Sequence, residues 1–108
     1  MLIVRGVNVF PTQVEEQIMR IAQLSGIYQI HLSREGHMDN VEVHCELQPN
    51  VSGQLSASEL QQLMKELQHH IKTNVGISTQ VKVFESFALP RTLTGKSRRV
   101  FDERPKQT

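Results

Sequence analysis

At 108 residues, with 38% apolar and 21% charged side chains, the chain has room for one domain with a modest core and excludes two. No apolar run approaches bilayer-spanning length, no secretory signal is readable, and the single Cys45 excludes an internal disulfide framework, so a cytoplasmic protein is expected. The net charge of +1 is uneven: residues 1–88 hold six Lys/Arg against nine Asp/Glu, and residues 89–108 hold six against two, so the tail favours an anionic partner.

The chain opens with "LIVRG", a short apolar run stopped by Gly6, which reads as a strand entering a tight turn. Nothing before Leu2 is there to pair with it. The expectation is therefore the second arm of a hairpin whose first arm is missing, with an exposed edge open to self-association. "FPTQVEEQIMRIAQLSG" then predicts a helix from Thr12 to Leu24. Thr12 and Glu15 are spaced as a capping box, Val14, Ile18, Ile21 and Ala22 share one stripe, and Gly26 suits the stop. "IYQIHLSREG" and "NVEVHCELQP" alternate apolar and polar residues and predict two half-buried strands joined through "REGHMDN" as a hairpin. "SASELQQLMKELQHHIKTNVG" carries a second capping box, Ser56 and Glu59, ahead of a stripe of Leu60, Leu63, Met64, Leu67 and Ile71. "TQVKVFE" is a further core strand. The pattern predicts an α+β fold, with two amphipathic helices on one face of a small, mostly antiparallel sheet, in the order β-α-β-β-α-β. A C-terminal loop or hairpin carrying Lys96 follows.

"RTLTGKS" ends like a phosphate-binding P-loop, which needs G-x-x-x-x-G-K-[ST] between a strand and a helix. With Gly95 as the second glycine, the first position is Pro90, which has no N–H to offer a phosphate. No helix opens after it. The P-loop reading fails, and Lys96 needs another role.

Other candidate chemistry is weaker. His31 and His44 fall on the polar faces of neighbouring strands and His69-His70 on a helix. Zinc needs three or four converging ligands, so solvated histidines are the better account. Cys45 lies on an apolar strand face and reads as an inert core thiol. Nucleic-acid binding has the basic tail in its favour but no aromatic-plus-basic strand motif.

Two segments remain. Lys96 stands on a loop beside Gly95, a movable point charge suited to negative charge developing on a phosphate or carboxylate oxygen. Gly6 stands between a strand and a helix, where a backbone can approach a ligand with no side chain in the way.

Together these two segments resemble the signature segments of the C-terminal domain of the acyl-adenylate-forming ligases. "MLIVRGVNVFPTQVEE" is similar to the eighth core motif of that superfamily in its phenylacetate–coenzyme A ligase branch. "LPRTLTGKSRRVFDER" is similar to the tenth, with its lysine in a Gly-Lys context; Ser97 stands where alanine is common. The resemblance covers essentially the whole chain. It implies that residues 1–108 form a single mobile C-terminal domain, with a large N-terminal ATP- and acid-binding domain outside the chain as its partner. It implies an enzyme that uses ATP and Mg²⁺ to convert an aryl-acetic acid to an acyl-adenylate and then passes the acyl group to coenzyme A. Lys96 matches the lysine of the first step and Gly95 its loop. Arg5, Gly6 and Val7 match the loop that lines the pantetheine channel in the second. No metal ligand, nucleic acid or membrane is implied for this domain. The alternative reading is a free-standing α+β regulatory module that binds a small anion or a partner protein.

Overall fold

The computed structural model describes residues 2–86, 88 and 100–104. The chain opens with a β-hairpin. Strand β1 (Leu2–Val4) pairs antiparallel with β2 (Val7–Val9), in the register Leu2↔Val9 and Val4↔Val7. Two residues, Arg5 and Gly6, make the turn, at φ +50° and +79°. Positive φ at both central positions matches a type I′ turn, whose twist agrees with that of the strands. This corrects the expectation of an unpaired first strand. "LIV" is the first arm of its own hairpin, and "VNV" is the return arm. One hairpin face, Val4 and Val9 with partly buried Leu2 and Val7, packs on the core. Ile3 on the other face is 54% exposed.

Helix α1 spans Pro11–Met19, a shorter helix than the apolar stripe predicts. At its start the Gln13 side chain accepts the Phe10 N–H at 3.0 Å, and the Gln13 N–H donates to the Phe10 carbonyl at 2.9 Å. The predicted Thr12–Glu15 box is thus displaced by two residues, because Pro11 already occupies the first turn, where its missing N–H costs nothing. After Met19 the backbone tightens into i→i+3 bonds, Arg20 to Gln17, Ile21 to Ile18 and Leu24 to Ile21. Leu24 then opens strand β3 (Leu24–Glu35) opposite Leu47. Ile21 is buried as predicted, but by a turn, whereas Ala22, expected on the same stripe, is exposed because the helix has already ended, and Leu24 is buried at the start of β3. Gly26 lies within a bulge, where the register slips between Leu24 and Tyr28.

Strand β4 (Met38–Leu47) returns from β3 through a two-residue turn, Gly36-His37, with Gly36 at φ +59°. Most of "REGHMDN" is therefore strand. Helix α2 (Ala57–Asn74) is built as its sequence predicts. Ser56 Oγ accepts the Glu59 N–H at 3.2 Å, and Glu59 accepts the Ser56 N–H at 3.2 Å. Leu63, Leu67 and Ile71 are buried, and Gly76 at φ +92° follows the end, its N–H donating back to the Ile71 carbonyl.

Strand β5 (Gln80–Phe84) follows α2, and β6 (Val100–Asp102) closes the described chain. The main sheet has the order β5-β4-β3-β6. Only its central pair, β3 with β4, is antiparallel. β5 runs parallel to β4, and β6 runs parallel to β3. The helix between β4 and β5 requires the first of these, since a crossover returns a strand in the same direction. The sheet is therefore mixed, and β5 and β6 stand at opposite edges without pairing as a hairpin. Val14 and Ile18 of α1 and Leu63, Leu67 and Ile71 of α2 share one buried cluster with Tyr28, Ile30, Leu32, Val41, Val43, Cys45 and Val81 of the sheet. Asn74 donates to Gln17 at 3.0 Å between the helices.

Candidate functional site

The Arg5–Gly6 turn is the described part of the predicted site. Arg5 and Gly6 are exposed, while the Val7 side chain is half-buried against the core. A Cβ built on Gly6 meets no heavy atom within 4 Å. The space beside this backbone is open. Gly95 and Lys96 lie outside the described residues.

Arg5 is a non-glycine residue at positive φ, which costs energy unless its surroundings hold it there. Its N–H donates to Asp39 Oδ2 at 3.3 Å, its Nε to the Asp39 carbonyl at 2.9 Å, and its Nη1 to the Ser78 carbonyl at 3.2 Å. Asp39, near the start of β4, also accepts Arg34 Nε on Oδ1 at 2.9 Å and Arg104 Nη1 on Oδ2 at 3.3 Å. The hydrogen bond from Arg34, then that from the Arg5 amide, holds this carboxyl below its ordinary value against the opposing effect of burial. Arg104 in turn grips Asp102 with two parallel bonds, Nε to Oδ1 and Nη2 to Oδ2, each 2.9 Å. A small hollow of about 140 Å³ adjoins the turn, lined by Arg5, Asn40, Val41, Ser78, Thr79 and Gln80.

The sheet carries a second cluster. The imidazoles of His31 and His44 stack with ring centres 4.1 Å apart, and His31 stacks on Phe101 at 4.8 Å. Glu42 pairs with Lys82 at 3.1 Å beside His44. These histidines are partly covered rings in a ladder across three strands, not freely solvated groups. Burial, then the neighbouring His31, pushes His44 below its ordinary value. Among the described residues no group of three His, Cys, Asp or Glu is placed to hold a metal ion, and no helix is long and apolar enough to cross a membrane. Cys45 is fully buried, its thiol pushed up to about 12 by burial and its Sγ 3.7 Å from the Lys82 carbonyl. That is a core thiol.

Sequence reasoning found the turn but missed Asp39, Arg34 and Arg104. Asp39 stood in a stretch read as loop, and its partners are 34, 5 and 65 positions away along the chain.

A sequence profile of the family described as AMP-binding enzyme C-terminal domain matches residues 6–104. The chain belongs to that family. The domain is 46% identical over 107 residues to the phenylacetate-coenzyme A ligase of Aromatoleum evansii, covering 99% of this chain and 24% of that enzyme. It is 49% identical over 104 residues to that of Pseudomonas putida, covering 96% and 23%. It thus spans about a quarter of the length of these curated relatives. Among solved structures it superposes on a domain of phenylacetate-coenzyme A ligase from Bacteroides vulgatus with a TM-score of 0.86 at 29% identity, covering 99% of this chain and 95% of that one. A second match is 2-hydroxyisobutyryl-CoA ligase with 2-HIB-AMP and CoA in the thioesterification state. There the TM-score is 0.81 at 27% identity, over 94% of this chain and 20% of the ligase.

Proposed function

We propose that the chain is the mobile C-terminal domain of an AMP-forming ligase that joins an aryl-acetic acid to coenzyme A, and that it serves both half-reactions with different segments. The observation that carries this reading is the 46% and 49% identity to phenylacetate-coenzyme A ligases across nearly the whole of this chain, in a chain whose Arg5–Gly6 turn leaves its backbone open. ATP, Mg²⁺ and the acid are held mainly by the N-terminal domain of the same cytoplasmic enzyme. The chain alone then makes neither adenylate nor thioester. Lys96, on the loop with Gly95, neutralises charge as the acyl-adenylate forms. After the domain rotates, Arg5, Gly6 and Val7 line the path of the pantetheine arm. The open space at Gly6 fits that arm, since a bare backbone admits a thin chain where a side chain would block it.

The test is made in the complete enzyme. Lys96→Ala should lower phenylacetate-dependent ATP–pyrophosphate exchange by about 10²–10³, the usual loss for one preorganised electrostatic contact. Thioester formation from supplied acyl-adenylate should stay near the wild-type rate. Equal slowing of both steps with an unchanged melting temperature would refute the division of labour.

A further inference from the structure

The turn that leads the proposed thioester segment does not hold itself. Arg5 takes a conformation that non-glycine residues avoid, and three of its hydrogen bonds leave the hairpin for other parts of the fold. Two of the three end on Asp39, one on its side chain and one on its backbone carbonyl. The same carboxylate receives Arg34 from β3 and Arg104 from the segment after β6. Arg104 also donates to the Ile3 carbonyl at 2.7 Å. One buried carboxylate thus joins the hairpin turn, the β3–β4 hairpin and the end of β6.

We propose that Asp39 is the positioning residue of the Arg5–Gly6 turn, fixing its shape by tying it to the β3–β4 hairpin and to Arg104 just after β6. The chemistry requires a carboxylate. Asp39 faces two guanidinium groups and one amide, all of them donors. An asparagine would keep one acceptor oxygen and turn its own N–H donors toward them. The link from this turn to coenzyme A rests on the reading given under Proposed function; the claim that Asp39 positions the turn does not.

Amide hydrogen exchange followed by NMR on the 108-residue chain tests the positioning role. In Asp39→Asn the Arg5 amide should exchange about tenfold faster, while Leu63, Leu67 and Ile71 in α2 keep their protection. An unchanged Arg5 amide, or equal acceleration in α2, would overturn the proposal. Asp39→Glu keeps the charge but displaces it by one methylene, and should speed the Arg5 amide by about threefold. Wild-type protection in that variant would overturn the proposal even if Asp39→Asn fails to fold. In the complete ligase, Asp39→Asn should raise KM for coenzyme A and slow thioester transfer about tenfold, with pyrophosphate exchange within about twofold of wild type. A freed Arg5 amide with normal transfer would leave Asp39 as the positioning residue and overturn the assignment of the turn to coenzyme A.

Discussion

Arg104 Nη1 donates to the Ile3 carbonyl oxygen at 2.7 Å, joining residues 101 positions apart. The bond clamps the opening hairpin to the strand that finishes the sheet, and the same guanidinium holds Asp102 and Asp39. Its side chain is only 14% exposed. Arg104→Ala should therefore destabilise the domain by about 1–2 kcal/mol, between the value of an exposed pair and that of a hydrogen bond to a charged group. Urea unfolding measures it. A change below about 0.5 kcal/mol, typical of an unremarkable surface site, would mean that the clamp contributes nothing.

The two aspartates of this cluster predict how the domain responds to acid. Asp102 is held below its ordinary value chiefly by its hydrogen bond from Arg104, and Asp39 chiefly by that from Arg34. A depressed carboxyl stabilises the fold above its unfolded-state value and loses that contribution as pH falls through the folded one. As pH falls through the ordinary carboxyl value of 3.8, the unfolded chain binds protons first, so stability must drop. Urea midpoints taken downward from neutral pH should fall less steeply for Asp102→Asn than for wild type. Parallel curves would show that these contacts are not linked to folding.

Cys45 should be inert while the domain is folded. Burial raises its thiol from 9.0 to about 12, so almost no thiolate exists at pH 8 and no reagent reaches it. Iodoacetamide should label it only in denaturant. The same shift means that stability is full below the unfolded thiol value and declines as pH rises from about 9 towards 12. Fast labelling of the native domain would contradict the packing described here.

Gly6 and Gly36 form a matched pair that separates folding from function. Both have positive φ, +79° and +59°, and at neither would a Cβ meet any atom within 4 Å. Replacing either with leucine should cost about 1–2 kcal/mol through backbone strain. In the complete enzyme only Gly6→Leu should also slow transfer to coenzyme A, because only that turn is assigned to the pantetheine path. Equal slowing by both substitutions would reduce the Gly6 effect to lost stability.

Those parts of the fold encoded over a few neighbouring residues were legible in the sequence. Ser56 and Glu59 cap α2 as predicted because both halves of the box lie within one turn. The alternation of Tyr28, Ile30 and Leu32 against Val41, Val43 and Cys45 gave the central strand pair for the same reason. The end of α1 was not legible. Its stripe continues through Ile21 and Ala22, but pairing of Leu24 with Leu47 outcompetes another helical turn, and that partner is 23 residues away. The opening hairpin could have been read. "LIV" and "VNV" are separated by two residues ending in glycine, which is a hairpin spacing. Within the Asp39 cluster only the Arg34 contact is local, five positions away; the links to Arg5 and Arg104 become visible only once the sheet has aligned these residues.

The parallel seating of β6 beside β3 also sets an order of events during synthesis. β3 to β5 can emerge from the ribosome and pack with both helices while the outer edge of β3 still shows unpaired peptide groups at Ile30 to Leu32, the residues that later face Val100 to Asp102. Such an edge readily recruits a strand from another nascent chain. Protection therefore arrives only with the last described strand. A product cut short before Val100 would retain most of the core and yet be prone to aggregate, which makes premature termination here more hazardous to the cell than the loss of a few surface residues would suggest.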